Sequence, residues 1–282
     1  MVQWADKWQL EFHPDKCVSM SINYKGEQPR IYKMKETILK QVHQEKDIGV
    51  IVDDQLKFES HIYEKINKAN SMMGLIRRSF IHMDEDIFKK LFKALVRPHL
   101  EYANSIWHPT KIKDITAIEN VQRRATKYLP AMKNLSYEER LQKLELPTLQ
   151  FRRLRGDMIE TYKLMTGCYD ETVSNIMPKR QESTTSLSTR GHIFKIFRQR
   201  AEKPIRQNFL SIRIVSEWNS LPEKIVEAPN LKIFERRLDR HWRQHDLKYN
   251  FRGSVTCSPD ANQKKTSESS NKEEGAAEEL DI

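Results

Sequence analysis

A chain of 282 residues holds one large domain or two small ones, and with 38% hydrophobic and 31% charged residues many of its faces stand in water. Lysines and arginines number 49 against 39 acids; the last thirty residues, Gly253 to Ile282, carry seven acids and three lysines, so a body of +14 precedes a tail of −4 and points to a polyanionic partner. Three scattered cysteines (Cys17, Cys168, Cys257) exclude a disulfide framework or zinc knuckle, and no apolar run is long enough to span a membrane. The first sixteen residues contain Asp6, Lys7, Glu11, Asp15 and Lys16, with no signal-peptide core, so the expected compartment is reducing, nuclear or cytoplasmic.

Along the chain, VQWADKWQLEF predicts a helix with Trp4, Trp8 and Phe12 four apart on one face, ended before Pro14. Alternation in Cys17 to Ile22 predicts a strand. Ile31 to Met34 predicts a second, and Glu45 to Asp53 a third, centred on Ile48-Gly49-Val50-Ile51-Val52. These pieces would form a small antiparallel sheet with one helix. From Lys57 the period becomes helical: Ser60 is a candidate cap, Ile62, Ile66, Ala69, Met73 and Ile76 a stripe, and Arg77-Arg78 the close. Asp84 starts a helix patterned on Ile87, Leu91 and Leu95 and interrupted at Pro98. Tyr102 and Trp107 follow, with a stop at Pro109. Ile115, Ile118, Val121 and Ala125 mark the next helix, whose exposed side carries Arg123, Arg124 and Lys127.

Ser136 and Glu139 have capping-box spacing ahead of Leu141 and Leu144, in a short helix that stops at Pro147. Leu149, Leu154, Met158, Tyr162 and Met165 define another, ending near Gly167. Residues 178–191 are a polar connector. A terminal helical unit then runs through Phe209 to Trp218, Leu221-Pro222 and an amphipathic helix, Leu231 to Trp242, bearing Phe234 and Leu238. After Arg252 the composition cannot offset its ordering entropy, and disorder is expected. The fold class is α+β, mostly α.

Few residues suggest chemistry. Asp53-Asp54 after an apolar strand has the carboxylates that magnesium needs, but no upstream apolar strand ends in a further Asp, and the favoured reading is a turn held by side-chain bonds to the backbone. His241 and His245, four apart, have a zinc-compatible spacing without a completing cysteine or carboxylate pair. No Ser-His-Asp set or glycine-rich phosphate loop is visible. Four basic clusters remain: Arg77-Arg78, Arg123-Arg124 with Lys127, Arg152-Arg153 with Arg155, and Lys195 to Arg206. Each is a solvated face or a salt-dependent contact to phosphates.

The order of several words carries a resemblance. Trp8-Gln-Leu-Glu-Phe-His-Pro-Asp-Lys-Cys17 with Met20, and Lys46-Asp-Ile-Gly-Val50 with Asp53, Leu56, Phe58, His61 and Ile62, are two of them. Leu95-Val-Arg-Pro-His-Leu-Glu-Tyr-Ala103 with Trp107 and Pro109, then Glu119-Asn-Val-Gln-Arg-Arg-Ala-Thr-Lys127, are two more. Tyr137-Glu-Glu-Arg-Leu141, Thr189-Arg-Gly-His192, Ser211-Ile-Arg213 and Trp218-Asn-Ser-Leu-Pro222 continue the series. From Trp4 to Trp242 the chain resembles the carboxyl-terminal part of reverse transcriptases of jockey-like non-LTR retrotransposons.

That resemblance implies a palm remnant with a primer-grip-like hairpin at 1–55, a helical thumb and post-thumb region at 56–177, the connector at 178–191, a helical unit at 192–250 and an acidic tail at 251–282. It implies contact with an RNA/DNA template-primer through Ile48, Gly49, Val50, Arg77, Arg78, Arg123, Arg124, Lys127, Arg152 and Arg153. Asp53 falls at the primer grip, and Lys16 where such polymerases carry a lysine near the leaving pyrophosphate. The family's magnesium-binding aspartates lie upstream of Trp4, so the expectation is a chain without cofactor, membrane contact or small-molecule substrate, inactive as a polymerase alone. A separately encoded palm segment is a possible partner. Two alternatives stay open: a non-catalytic nucleic-acid-binding protein, and an unselected gene fragment, which would leave Trp4 and Trp8 exposed.

Overall fold

The structure, a computed structural model, describes residues 2–22, 30–34, 36–177 and 192–253; the expected connector and the tail after Gly253 lie outside them. The chain is mostly helical, with its strands short and confined to the amino-terminal part, as the α+β reading requires. It groups into two units, residues 1–125 with 203–208 and residues 126–202 with 209–282.

In the first unit α1 (Val2–Trp8) ends before Phe12, and Trp4 and Trp8 stand 53% and 58% exposed. The strands are β1 (Val18–Ser19), β2 (Lys33–Met34), β3 (Thr37–Ile38), β4 (Lys40–Gln41), β5 (Gln44–Asp47) and β6 (Val50–Asp53). They form three separate ladders rather than one sheet: β2 with β3 and β5 with β6 antiparallel, β1 with β4 parallel. The stretch read as a single strand, Glu45 to Asp53, is a hairpin. Its turn is Ile48-Gly49, with φ of 43° and 79°. Positive φ at both central residues is the geometry whose twist suits a two-residue hairpin. Isoleucine is an unusual residue for it, and the apolar run therefore hid the turn.

Next comes α2 (Glu59–Ser79), which buries Ile62, Ile66, Ala69, Met73 and Ile76, as their spacing predicts. Its start differs from expectation. Ser60 lies inside the helix, and Phe58, at φ 56°, takes the cap position. The Asp53 carboxylate supplies the missing acceptors, taking the N–H groups of Gln55 at 3.1 Å, Lys57 at 3.0 Å and Phe58 at 2.6 Å. Asp84 caps α3 (Glu85–Leu91) through the Ile87 N–H at 2.7 Å. A π-helical turn, Phe92–Val96, leads directly into α4 (Arg97–Glu101). The buried stripe is Phe88, Phe92, Val96 and Leu100, not Ile87, Leu91 and Leu95. Steps of four overshoot a turn of 3.6 residues, and the wider π turn takes up the excess. The Arg97 N–H reaches back five residues to Phe92, so the helix passes Pro98, which has no N–H to offer, without stopping. The following helix, α5 (Ile112–Thr126), buries Ile118, Val121 and Ala125, with Ile115 half-buried.

The second unit opens with α6 (Tyr137–Leu144), which has the expected capping box: Ser136 Oγ accepts the Glu139 N–H at 3.3 Å and the Ser136 N–H reaches Glu139 Oε2 at 2.7 Å. Next is α7 (Leu149–Met165), capped by Thr148, whose Oγ1 accepts the Phe151 N–H at 3.1 Å and donates to the Leu247 carbonyl at 2.5 Å. The short helices are α8 (Glu171–Ser174), α9 (Pro204–Gln207, which groups with the first unit), α10 (Leu210–Arg213), α11 (Val215–Ser220) and α12 (Glu223–Val226), before α13 (Leu231–His241). Leu154, Met158 and Tyr162 of α7 share one core with Trp218, Phe234, Leu238, Trp242 and Leu247. Tyr162 and Phe234 stack at 4.4 Å, and Asp157 and Arg213 pair at 2.9 Å. The core partners of α7 thus come from beyond residue 177, and α7 groups with them in the second unit. Among the described residues no helix is long and apolar enough to cross a membrane.

Candidate nucleic-acid interface

The hairpin tip is built from inside. Tyr102 Oη donates to the Ile48 carbonyl at 2.9 Å, and Lys65 Nζ donates to the Gly49 carbonyl at 3.0 Å. Two elements distant in sequence thus hold both turn carbonyls. The left-handed backbone at Gly49, φ 79°, accounts for glycine there, while a Cβ would make only ordinary contact with the Tyr102 ring at 3.5 Å. Ile48 stands 81% exposed at the tip, whereas Val50 is 4% exposed and packs inward. Of the three residues that the resemblance assigns to a primer grip, only Ile48 presents a large surface outward.

Beneath the hairpin sits His61, fully buried against Trp107 at 5.2 Å between ring centroids. Its Nδ1 accepts the Ile51 N–H at 3.1 Å, which leaves the ring's proton on Nε2. Burial, with the nearby Lys65 charge, lowers its pKa to about 4, so the imidazole is neutral at pH 7. Burial likewise lowers the pKa of Lys65. Glu64 collects Lys68 at 2.9 Å and Lys46 at 3.5 Å, and ties β5 to α2.

The α2 face beyond the hairpin carries cations. Asn70, Gly74 and Arg78 recur every four residues and share one side of the helix. The Arg78 side chain folds back over Gly74, where a Cβ would come within 3.9 Å of its Nη1. On α5, Arg124 Nη2 donates to Asn70 Oδ1 at 3.3 Å, and Arg124 Nε to its own helix at Asn120. Asn70 and Gly74 therefore bring two exposed guanidinium groups to one side of α2, along roughly 12 Å of helix axis. Arg77 is exposed beside them and Arg123 half-buried. Sequence periodicity found both pairs; Asn70, which orients Arg124, looked like an ordinary surface polar residue.

Of the candidate contacts in the second unit, Lys127 is exposed and Arg152 half-buried. Arg153 is a correction: it is 1% exposed on the inner face of α7, where no external strand reaches it. Its neighbour Arg155 is bound to Asp239 at 2.6 and 2.9 Å and to Glu235 at 3.4 Å, a clamp between α7 and α13. Arg153 and Arg155 thus serve the fold, and a run of arginines on a buried helix cannot show that by itself.

The suspected metal residues are otherwise engaged. Asp53 holds three amides, as above, and Asp54 Oδ2 lies 2.8 Å from His43 Nδ1. His245 is 7% exposed, accepts the Leu247 N–H at 3.1 Å and packs on Trp242 and Phe151. Lys16 is an exposed residue ending a single 3-10 turn, Pro14–Lys16. Among the described residues no three metal-ligating side chains come together.

Part of this chain is similar to a retrotransposon polymerase. Over 128 residues, 41% of the chain and 14% of the relative, it is 27% identical to the RNA-directed DNA polymerase from mobile element jockey of Drosophila funebris. Over 126 residues, 44% of the chain and 64% of the relative, it is 24% identical to an uncharacterized protein of Caenorhabditis elegans. The chain thus spans a small fraction of the first relative and under two thirds of the second. The first similarity supports a retrotransposon-related origin. No family model and no solved structure matches the chain.

Proposed function

We propose that this chain derives from the carboxyl-terminal part of a non-LTR retrotransposon reverse transcriptase and contacts template-primer nucleic acid without catalysing polymerisation alone. The similarity to the jockey polymerase carries the reading. The exposed guanidinium groups of Arg78 on α2 and Arg124 on α5, the outward Ile48 and the excess of positive charge support the nucleic-acid part of it. Arg78 and Arg124 would meet phosphates and Ile48 a sugar or base edge, giving affinity with little sequence preference. Lys127 and Arg152 belong to the same proposal as outlying phosphate contacts.

The test is binding to a primed RNA template across a salt series, with a primer-extension assay on the same sample. Affinity that falls steeply with salt, together with no extension, is the expected result. Extension by the purified chain, or affinity indifferent to salt, would refute it. A second reading, a gene fragment without biochemical role, expects uncovered amino-terminal aromatics, and Trp4 and Trp8 are both more than half exposed. Absence of any binding at low salt would favour that reading.

A further inference from the structure

Between α12 and α13 lies a pocket of about 590 Å³ lined by Pro222, Lys224, Ile225, Glu227, Arg237, Arg240 and His241. It is an open groove, with every lining residue but Ile225 exposed, so it would seat one end of a molecule rather than enclose it. Arg237, Arg240 and His241 share one face of α13 by their spacing of three and four. Arg237 Nη1 donates to the Lys224 carbonyl, which fixes that guanidinium at the pocket wall and leaves its other N–H groups for a ligand. Lys224 and Arg240 form no ion pair among the described residues. Glu227 supplies one negative charge against these three positive ones. Burial of its ring keeps His241 below its ordinary pKa.

Basic residues in the last turn of a helix complement its dipole, and that alone accounts for Arg240. It does not account for Arg237 one turn earlier, nor for Lys224 on a different helix. The guanidinium fork matches phosphate oxygens, and Pro222 and Ile225 offer an apolar wall to whatever carries the phosphate. We propose that this pocket binds a small phosphorylated organic molecule, its phosphate held by Lys224, Arg237 and Arg240 and its apolar body against Pro222 and Ile225. This departs from the expectation that the chain takes no small molecule, and it is independent of the α2 surface.

The probe is phenyl phosphate, titrated into the full chain without nucleic acid while backbone amide NMR shifts are followed. Saturable shifts at residues 222–227 and 237–241 are expected, with inorganic phosphate about tenfold weaker for want of the apolar contact. Arg240→Gln and Lys224→Gln, both at exposed positions, should each weaken phenyl phosphate about tenfold at unchanged circular dichroism, the loss of one charge-assisted bond. Shifts that do not saturate, equal affinity for inorganic phosphate, or affinity unchanged in both variants would overturn the proposal.

Discussion

At His61 a buried ring accepts a backbone N–H, and at Glu217 a carboxyl is 7% exposed. Burial moves them in opposite directions along the pH axis: His61 to about 4, Glu217 to about 7. Between its ordinary value of 6.5 and about 4, the unfolded chain binds a proton on His61 that the folded chain refuses. That contribution, on the order of 3 kcal/mol, is present above pH 6.5 and lost as pH falls towards 4. Glu217 keeps its proton in the folded state up to about pH 7, while the unfolded chain releases it near 4.5. Its contribution is full below 4.5 and is lost as pH rises through 7. Hydrogen exchange, corrected for intrinsic rates, should therefore show amides of the first unit less protected at pH 5 than at pH 7, and those of the second unit more protected. Equal protection of the first unit at both values would count against the buried, neutral His61. Neither effect was legible in the sequence, where His61 sits among Glu59, Glu64 and Lys65 and Glu217 reads as an ordinary surface acid beside Ser216 and Asn219.

Among elements, the β5–β6 hairpin turns on a residue ill suited to it. The left-handed region costs an L-residue about 1–2 kcal/mol, and asparagine tolerates it better than isoleucine. Ile48 is 81% exposed, so little packing is lost on substitution. Ile48→Asn should raise stability by about 1 kcal/mol, read as a higher urea midpoint at constant slope. If it also weakens template-primer binding, the strain is retained for contact; if it lowers stability, the turn has been misjudged. At α7 the cap Thr148 serves two ends of the second unit, and Thr148→Ala should cost about 1–2 kcal/mol while Thr148→Ser keeps most of it. Thermal melts of the two variants check this. Caps at Asp84 and Ser136 could be read from the sequence because their acceptors and donors lie three residues apart. Asp53, the bond from Thr148 to Leu247 and the π turn could not, since each answers to a strain or a partner that only the folded chain supplies. The same holds for the stripe on α3 and α4, displaced by one residue from the apolar pattern that seemed to define it.

For the whole molecule the decisive quantity is charge. The expected binding is to phosphates, so the slope of log affinity against log salt counts contacts at about 0.9 per phosphate on duplex. Arg78→Gln and Arg124→Gln should each reduce that slope by about one and weaken binding alike for all sequences. Arg153→Gln is the informative contrast: it should lower stability and leave the slope unchanged, because this guanidinium is 1% exposed. The mostly helical class and most core positions were legible from periodicity. The candidate interface was legible only as a list of basic clusters, from which burial removes Arg153 and in which Asn70 orients Arg124.

The bond from Thr148 to Leu247 joins residues 99 positions apart, and Lys248 adds a second tie to the Thr148 N–H at 2.9 Å. On a ribosome, α7 emerges long before the segment that covers it. At ordinary rates of elongation its apolar side waits roughly 5–20 s for that cover. A nascent chain of this protein therefore keeps that apolar side uncovered through most of the synthesis of its second half, and its burial is timed by translation rather than by helix formation.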